Sequence, residues 1–402
     1  MLATMKNWAS ADAEGAGASV GEVLTLFRSA PGLTRADLIR RTGLSRSTIN
    51  QRLDALLAAG LIVTDGEEPP TRGRPAERFC FARTRGVLLV ADVGATGMRA
   101  ALCDLAGSIA AEREVPVDVT DGPEAVLGKV DGLFDQLLKD GDHDADQVMG
   151  IGVDVPGPVD FARGRVVSPP IMTGWDGFDI PGWFTRFGCP VLVDKDVNAM
   201  AFGEQRMVYP DVPELLMVKV GTGIGASLIS EGRVRRGADG AAGDIGHLHV
   251  TVPDVEEEPL CRCGNTGCVE AYAGGWAIVR DLVAAGHQVA DVHAAVSLIR
   301  SGHVTAVRLA RRAGRILGAT IADAVSLMNP SVVVLGGQLA KVEEQIIAGV
   351  REMVYRRSLP LATRNLQIVR SRLDERAGPT GLALLLADGI FAPPRVEALL
   401  AI

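Results

Sequence analysis

Apolar residues recur at i, i+3, i+4 and i+7 as Val20, Val23, Leu24 and Phe27, which predicts the buried face of a helix ending before Pro31-Gly32. Thr34 and Asp37 then frame a capping box that opens a short second helix, and Gly43-Leu44 makes a turn. A third helix starts at Ser45, buries Ile49, Leu53, Leu56 and Leu57, and ends at Gly60. A strand at 61–64, a polar loop at 65–78 and a strand at 79–81 follow. Helix, helix, turn, helix and two-stranded wing is the winged helix-turn-helix order, predicted here over residues 18–86 with wing and linker. The Ala/Gly/Ser text of residues 1–17 predicts a disordered tail.

From Val87 the pattern changes. An apolar strand ends at Asp92, a Gly94-Ala95-Thr96-Gly97 turn follows, and a second strand returns from Met98 to Cys103. A carboxylate at a strand end beside a Gly/Thr turn can hold Mg²⁺ and phosphate, although the same residues also make ordinary hairpin turns. A second turn, Gly221-Thr222-Gly223, follows the apolar text 216–220; Gly221, Gly223 and Ala226 formally fit a dinucleotide fingerprint, but the next text is a short strand rather than a helix. A β-hairpin phosphate loop is the better reading. A third strand ends at Gly336-Gly337, after an amphipathic stretch at about 306–328. Three strand-to-glycine turns around two α/β halves outline a nucleotide cleft between lobes.

The chain of 402 residues has a net charge of −8, which taken as an average argues against nucleic acid. Split by region it says otherwise. Residues 18–86 carry eleven arginines, no lysine and seven acids, a net +4, whereas residues 87–402 carry 29 basic and 40 acidic side chains, a net −11. The third helix exposes Arg46, Ser47, Thr48, Asn50, Gln51 and Arg52, side chains able to bond base edges or phosphates in a major groove, and the wing adds Arg72 and Arg74 for a minor groove. No uncharged apolar run reaches the length of a membrane span and the start lacks a basic segment followed by an apolar core, so a cytoplasmic protein without membrane insertion is expected.

Cys261, Cys263 and Cys268 lie on a tight loop with Gly264 and Gly267, a spacing that predicts a zinc site. His247 or His249 can supply the fourth ligand, and spacing alone does not choose between them. Four protein ligands would make the site structural. Cys80, Cys103 and Cys189 read as small buried hydrophobes. At the end of the apolar strand 191–193, Asp194, Lys195, Asp196 and Asn198 cluster before helical text; Asp196 is a candidate general base or a helix cap.

Together these residues resemble the ROK family of sugar kinases and sugar-responsive repressors, and its repressor branch in particular. The resemblance covers everything after the tail and rests on Gly243-Asp244-Ile245-Gly246-His247, on the Cys261 to Glu270 segment, and on Pro156-Gly157-Pro158-Val159-Asp160. It implies an α/β fold of two actin-like, ribonuclease-H-like lobes behind the winged head, with a structural zinc loop. Lobe one would span about 87–205 plus a C-terminal helix at about 381–402, and lobe two about 206–380. It also implies that His247 is both the fourth zinc ligand and a sugar contact, that Lys195, Asp244 and Glu270 stand at sugar-contact positions, and that Asp196 matches the catalytic base.

The departures bear on activity. Family kinases carry Asp-Gly-Gly-Thr-Lys where this chain has Asp92 to Gly97, without the second glycine and the lysine; a methyl at Ala95 can block a φ > 0 turn or the approach of a phosphate. Asp92, Gly94, Thr96, Gly221, Thr222, Gly223, Gly336 and Gly337 therefore read as a vestigial nucleotide site. Lys195 replaces an asparagine and Asp244 a glutamate. Lys195 either pairs locally with Asp194 or Asp196, or meets an anionic group of a sugar phosphate or acid sugar. The expectation is a sugar-responsive repressor on a palindromic operator, as a homodimer or a tetramer, with Mg-ATP needed only if sugar kinase activity survives. Control by a partner protein is a further possibility that the family suggests.

Overall fold

The structure, a computed structural model, describes residues 18–68, 76–253 and 255–400. The tail at 1–17 and the wing arginines Arg72 and Arg74 lie outside the described residues. In the head, helices Val20–Arg28, Arg35–Thr42 and Arg46–Ala58 each start on a side-chain cap: Ser19 with Glu22, Thr34 with Asp37, and Ser45, whose Oγ accepts from the Thr48 N–H at 3.2 Å. Ile49, Leu53 and Leu56 are buried, while Leu57 is only half-buried. The wing strands Ile62–Glu68 and Ala76–Phe81 are longer than their apolar text, because the hairpin ladder continues through polar residues. Leu33–Thr34 adds a third strand to them.

The body repeats one sheet plan twice. In the first sheet Val87–Val93 makes an antiparallel meander with Gly97–Asp104 and Ile109–Pro116 on one side, and runs parallel to Val148–Val155 and then Val191–Lys195 on the other. In the second, Leu215–Val220 pairs antiparallel with Ile224–Ser230, which pairs with Arg233–Val234, and runs parallel to Val332–Gly336 and then Gln367–Arg370. Gly221-Thr222-Gly223 thus sits in a hairpin, as the missing helix implies. Helix Val304–Met328 packs its apolar face on Glu343–Arg357 and the second sheet.

Two helices bridge these parts. Asp196–Met207 and Ala377–Ile390 pack side by side, Ala377–Ile390 against Val87–Val93 and Val148–Val155 of the first sheet and Asp196–Met207 chiefly against Leu215–Val220 and Ile224–Ser230 of the second. The single C-terminal helix expected at 381–402 is two helices, since Pro393-Pro394 lack the N–H groups to continue Ala377–Ile390 and instead open Pro393–Leu400. That last helix lies on Val20–Arg28 of the head. One apolar core runs from Phe27 and Phe79 through Leu88, Val90 and Leu192 to Leu386 and Phe391. Phe81 and Phe391 meet edge to face at 5.2 Å, Arg28 Nη2 reaches Asp388 Oδ1 at 2.7 Å, and Arg206 Nη2 holds the other oxygen at 2.6 Å. The head is therefore fused to the first lobe. No helix among the described residues is long and apolar enough to cross a membrane.

Of the three cysteines read as buried hydrophobes, only Cys103 is buried. Cys80 is half-buried with its Sγ 3.0 Å from the Pro31 carbonyl and 3.1 Å from Asp65 Oδ2; burial and then Asp65 push its pKa up to about 11. Cys189 is half-buried as well.

Candidate functional site

A cavity of about 720 Å³ opens between the lobes, at the carboxyl ends of the parallel strands. It brings together Asp92, Gly94, Thr96, Lys195, Asp196, Gly221, Thr222, Gly223, Asp244, His247, Glu270 and Gly337 from segments far apart in the chain. Gly336 lies behind this wall, against the tips of Met200 and Met217.

One end of the cavity rests on the cysteine loop. The ligand atoms of His247, Cys261, Cys263 and Cys268 all lie within 4.8 Å of one another. Tetrahedral Zn–S bonds of about 2.3 Å place sulfurs about 3.8 Å apart; Cys263 Sγ and Cys268 Sγ are separated by 3.7 Å, and Cys261 Sγ is 3.6 Å from His247 Nδ1. His249 faces Glu258 instead, with Nε2 3.0 Å from both carboxylate oxygens, so geometry makes the choice that spacing left open. His247 lies on a short 3-10 turn, Ile245–His247, and not on a strand. The loop before it lies so close to strand Ile224–Ser230 that a Cβ at Gly243 would stand 1.9 Å from the Ala226 carbonyl oxygen.

Beside that loop, buried Glu270 accepts from the Ile224 N–H at 2.8 Å and from Trp276 Nε1 at 3.2 Å. Its Oε2 would be 2.5 Å from a Cβ on Gly223, so this glycine makes room for Glu270 as well as turning the hairpin. Trp276, with the guanidinium groups of Arg262 and Arg280 at 4.9 and 5.1 Å from its ring, escaped sequence reasoning because nothing in its neighbours marks it.

Lys195 corrects both of its expected partners. Its Nζ donates to the Ala242 carbonyl at 3.2 Å and lies 3.8 Å from Asp244 Oδ1, reaching across the cleft. Asp194 is unavailable to it, because it accepts from Arg236 at 2.5 Å and from Asn198 Nδ2 at 2.7 Å. The two departures from the family's sugar contacts, Lys195 and Asp244, thus face each other.

Asp196 is the first residue of its helix and also faces the cleft. Oδ1 accepts from the Val197 N–H at 2.6 Å, and Oδ2 meets the Lys219 ammonium at 2.5 Å. Asp154, fully buried in register beside Asp92, has no N–H or hydroxyl partner. Burial first, then Asp92 and Asp196, raise its pKa well above the ordinary carboxyl value, and burial raises that of Asp92 against the pull of Lys219. Burial works against the Lys219 charge, but Asp196, Asp92 and Asp154 outweigh it and hold the pKa above the usual lysine range. The Gly94–Gly97 turn closes with an N–H to carbonyl bond of 2.8 Å, and Ala95 is not among the residues with positive φ. Its methyl therefore costs the turn nothing.

On the third helix of the head Arg46, Ser47 and Gln51 are exposed, while Thr48, Asn50 and Arg52 are half-buried. Ser47 and Thr48 bond the cap hydroxyl of Ser45. Asn50 Oδ1 accepts from Arg35 Nε at 3.2 Å, and the other arm of Arg35 reaches Glu77 on the wing at 2.6 Å. Arg35, missed from the sequence, ties helix to wing.

Residues 88–388 match the ROK family, and residues 21–63 match the family described as winged helix-turn-helix DNA-binding. The xylose repressor of Caldicellulosiruptor bescii is 26% identical, over 90% of this chain and 93% of its own length. A solved ROK family transcriptional regulator, a homologue of the Escherichia coli MLC protein, is 26% identical and superposes with a TM-score of 0.78 over 94% of this chain and 98% of its own. A ROK family glucokinase from Streptomyces griseus, solved with glucose and AMPPNP, is 28% identical with a TM-score of 0.63, over 75% of this chain and 99% of its own.

Proposed function

The chain belongs to the ROK family, and on that premise we propose that it is a sugar-responsive DNA-binding repressor. Head 18–86 reads a palindromic operator through Arg46, Ser47, Thr48, Asn50, Gln51 and Arg52 on the third helix and Arg72 and Arg74 on the wing. The body, with lobes at about 87–205 plus 381–402 and about 206–380, takes a sugar between them on Lys195, Asp196, Asp244, His247 and Glu270. Two copies related by a twofold axis would set two third helices about one helical turn apart; a homodimer suffices, and a tetramer would pair two of them.

The observation that carries this reading is the continuity of the head with one wall of the cleft. Helices Asp196–Met207 and Ala377–Ile390 start at the cleft and end at Asp388, where Arg28 of the head also arrives. A sugar that prefers one lobe arrangement therefore moves the head with the first lobe, and a ligand without that preference would change nothing. Zinc fits the four ligands described; when bound it supplies rigidity, since four protein ligands leave no open position. His247, Cys261, Cys263 and Cys268 would then hold the turn that carries Asp244 and the helix that carries Glu270 against each other.

The rival reading is a sugar kinase with Asp196 as base. The relatives matched through the head are a repressor and a transcriptional regulator, whereas the matched glucokinase covers 75% of this chain. The pairing of Lys195 with Asp244 and Ala242 favours a neutral sugar over a sugar phosphate. A thermal-shift panel of neutral sugars and their phosphates, run with a coupled ADP-release assay, tests this. One neutral sugar should raise the melting temperature with no ADP formed. Turnover abolished by Asp196→Asn would establish the kinase instead.

A further inference from the structure

Lys219 is a half-buried charge in an otherwise apolar strand. It is the one ionisable residue of strand Leu215–Val220, which lies inside the second sheet between Ile224–Ser230 and Val332–Gly336, and its neighbours Leu216, Met217, Val218 and Val220 are buried. An ammonium in such a place must find compensating charge. It does so across the cleft, on Asp196 Oδ2 at 2.5 Å, with Asp92 and Asp154 of the first sheet acting on the same charge.

Three carboxyl groups stand at neighbouring strand ends, with fully buried Asp154 hydrogen-bonded to Asp92 and Asp196 beside them, and oxygen donors of this kind suit a hard divalent cation. We infer that the Lys219 ammonium is the resident cation of this site, so that these carboxyl groups take no divalent ion. The residues do not fit a bare divalent ion: on Asp196 and Asp92 it would lie beside an ammonium already in hydrogen-bond contact with Asp196, and the two like charges would repel in a largely buried site. The glycine turns can then remain in the chain for packing, as Gly223 does against Glu270.

The inference deepens the reading of the cleft and rests on it for what the ligand is, but its test uses Mn²⁺ alone, so each can fail without the other. Full-length, zinc-loaded protein is titrated with Mn²⁺ and the free ion followed by electron paramagnetic resonance. Wild type should leave the free-ion signal undiminished. Lys219→Ser should take up one Mn²⁺ per chain, at least about tenfold more tightly than wild type, and Asp92→Asn added to Lys219→Ser should abolish that uptake. Uptake by wild type that Asp92→Asn removes would overturn the inference, as would a folded Lys219→Ser protein that gains no Mn²⁺. Should Lys219→Ser fail to fold, Lys219→Arg keeps the charge and is expected to exclude Mn²⁺ as wild type does; uptake by it that depends on Asp92 would count equally against the inference.

Discussion

The two ends of the cleft are built on the same plan and finished differently. Each sheet sends a hairpin turn, Gly94–Gly97 or Gly221–Gly223, and the ends of its parallel strands toward the other. At the cysteine-loop end the polar groups are held ready for a ligand: Glu270 is fixed by Ile224 and Trp276, and His247 by the sulfurs around it. At the Asp92 end the charges are already spent on one another, with Lys219 among the carboxyl groups. What separates a sensor from an enzyme on this fold is then a handful of side chains, and the fold alone does not decide it.

The largest effect should come from removing the support of the ligand-ready end. Cys261→Ser is expected to lose zinc and about 5 kcal/mol or more of stability, since metal binding free energy is folding free energy at such a loop. Metal analysis with thermal unfolding checks it, and unchanged zinc content and stability would count against the site. Next comes the contrast itself. Glu270→Gln should weaken sugar binding about 100-fold, the loss of a charged hydrogen bond of about 2–3 kcal/mol, while Thr96→Ala in the Gly94–Gly97 turn at the other end should leave it within about twofold. Isothermal titration with the sugar found by thermal shift measures both, and equal losses would erase the distinction.

A smaller effect concerns pH. The folded-state pKa of Asp154 is raised, so the stability its proton contributes is fully present below the ordinary carboxyl value and is lost as pH rises through the raised one. Asp154→Asn, which has no proton to lose, should therefore gain on wild type with rising pH, by about 1–3 kcal/mol at the alkaline end. Denaturant melts across the pH range read this, and parallel curves would contradict it. Smallest of all, Lys195→Ala should lower neutral-sugar affinity by less than about tenfold and leave the preference over sugar phosphates in place, because its charge is answered by Asp244. A reversed preference would show that Lys195 recognises an anion.

Features encoded by neighbours in the chain were legible before the structure. The cap residues Thr34 and Asp37, the hairpin at Gly221-Thr222-Gly223 and the cysteine loop each announce themselves within a few residues. Features made by distant segments were not. His247 and His249 differ only in what stands opposite them. Lys195 finds Asp244 across the cleft, and Arg28 meets Asp388, 360 residues along. Lys219 did leave a signal, a lone charge in an apolar strand, but its meaning depends on Asp92, Asp154 and Asp196 converging on it from the other sheet.

Sugar in the cleft is expected to control the hold of the head on DNA. Fluorescence anisotropy of a labelled fragment from the chain's own promoter region, with full-length protein at low salt and no nucleotide present, reads this coupling. The fragment should be bound, and the sugar identified by thermal shift should release it as its concentration rises. A fragment that is never bound, or a bound fragment whose anisotropy stays constant as the sugar saturates the cleft, would contradict it.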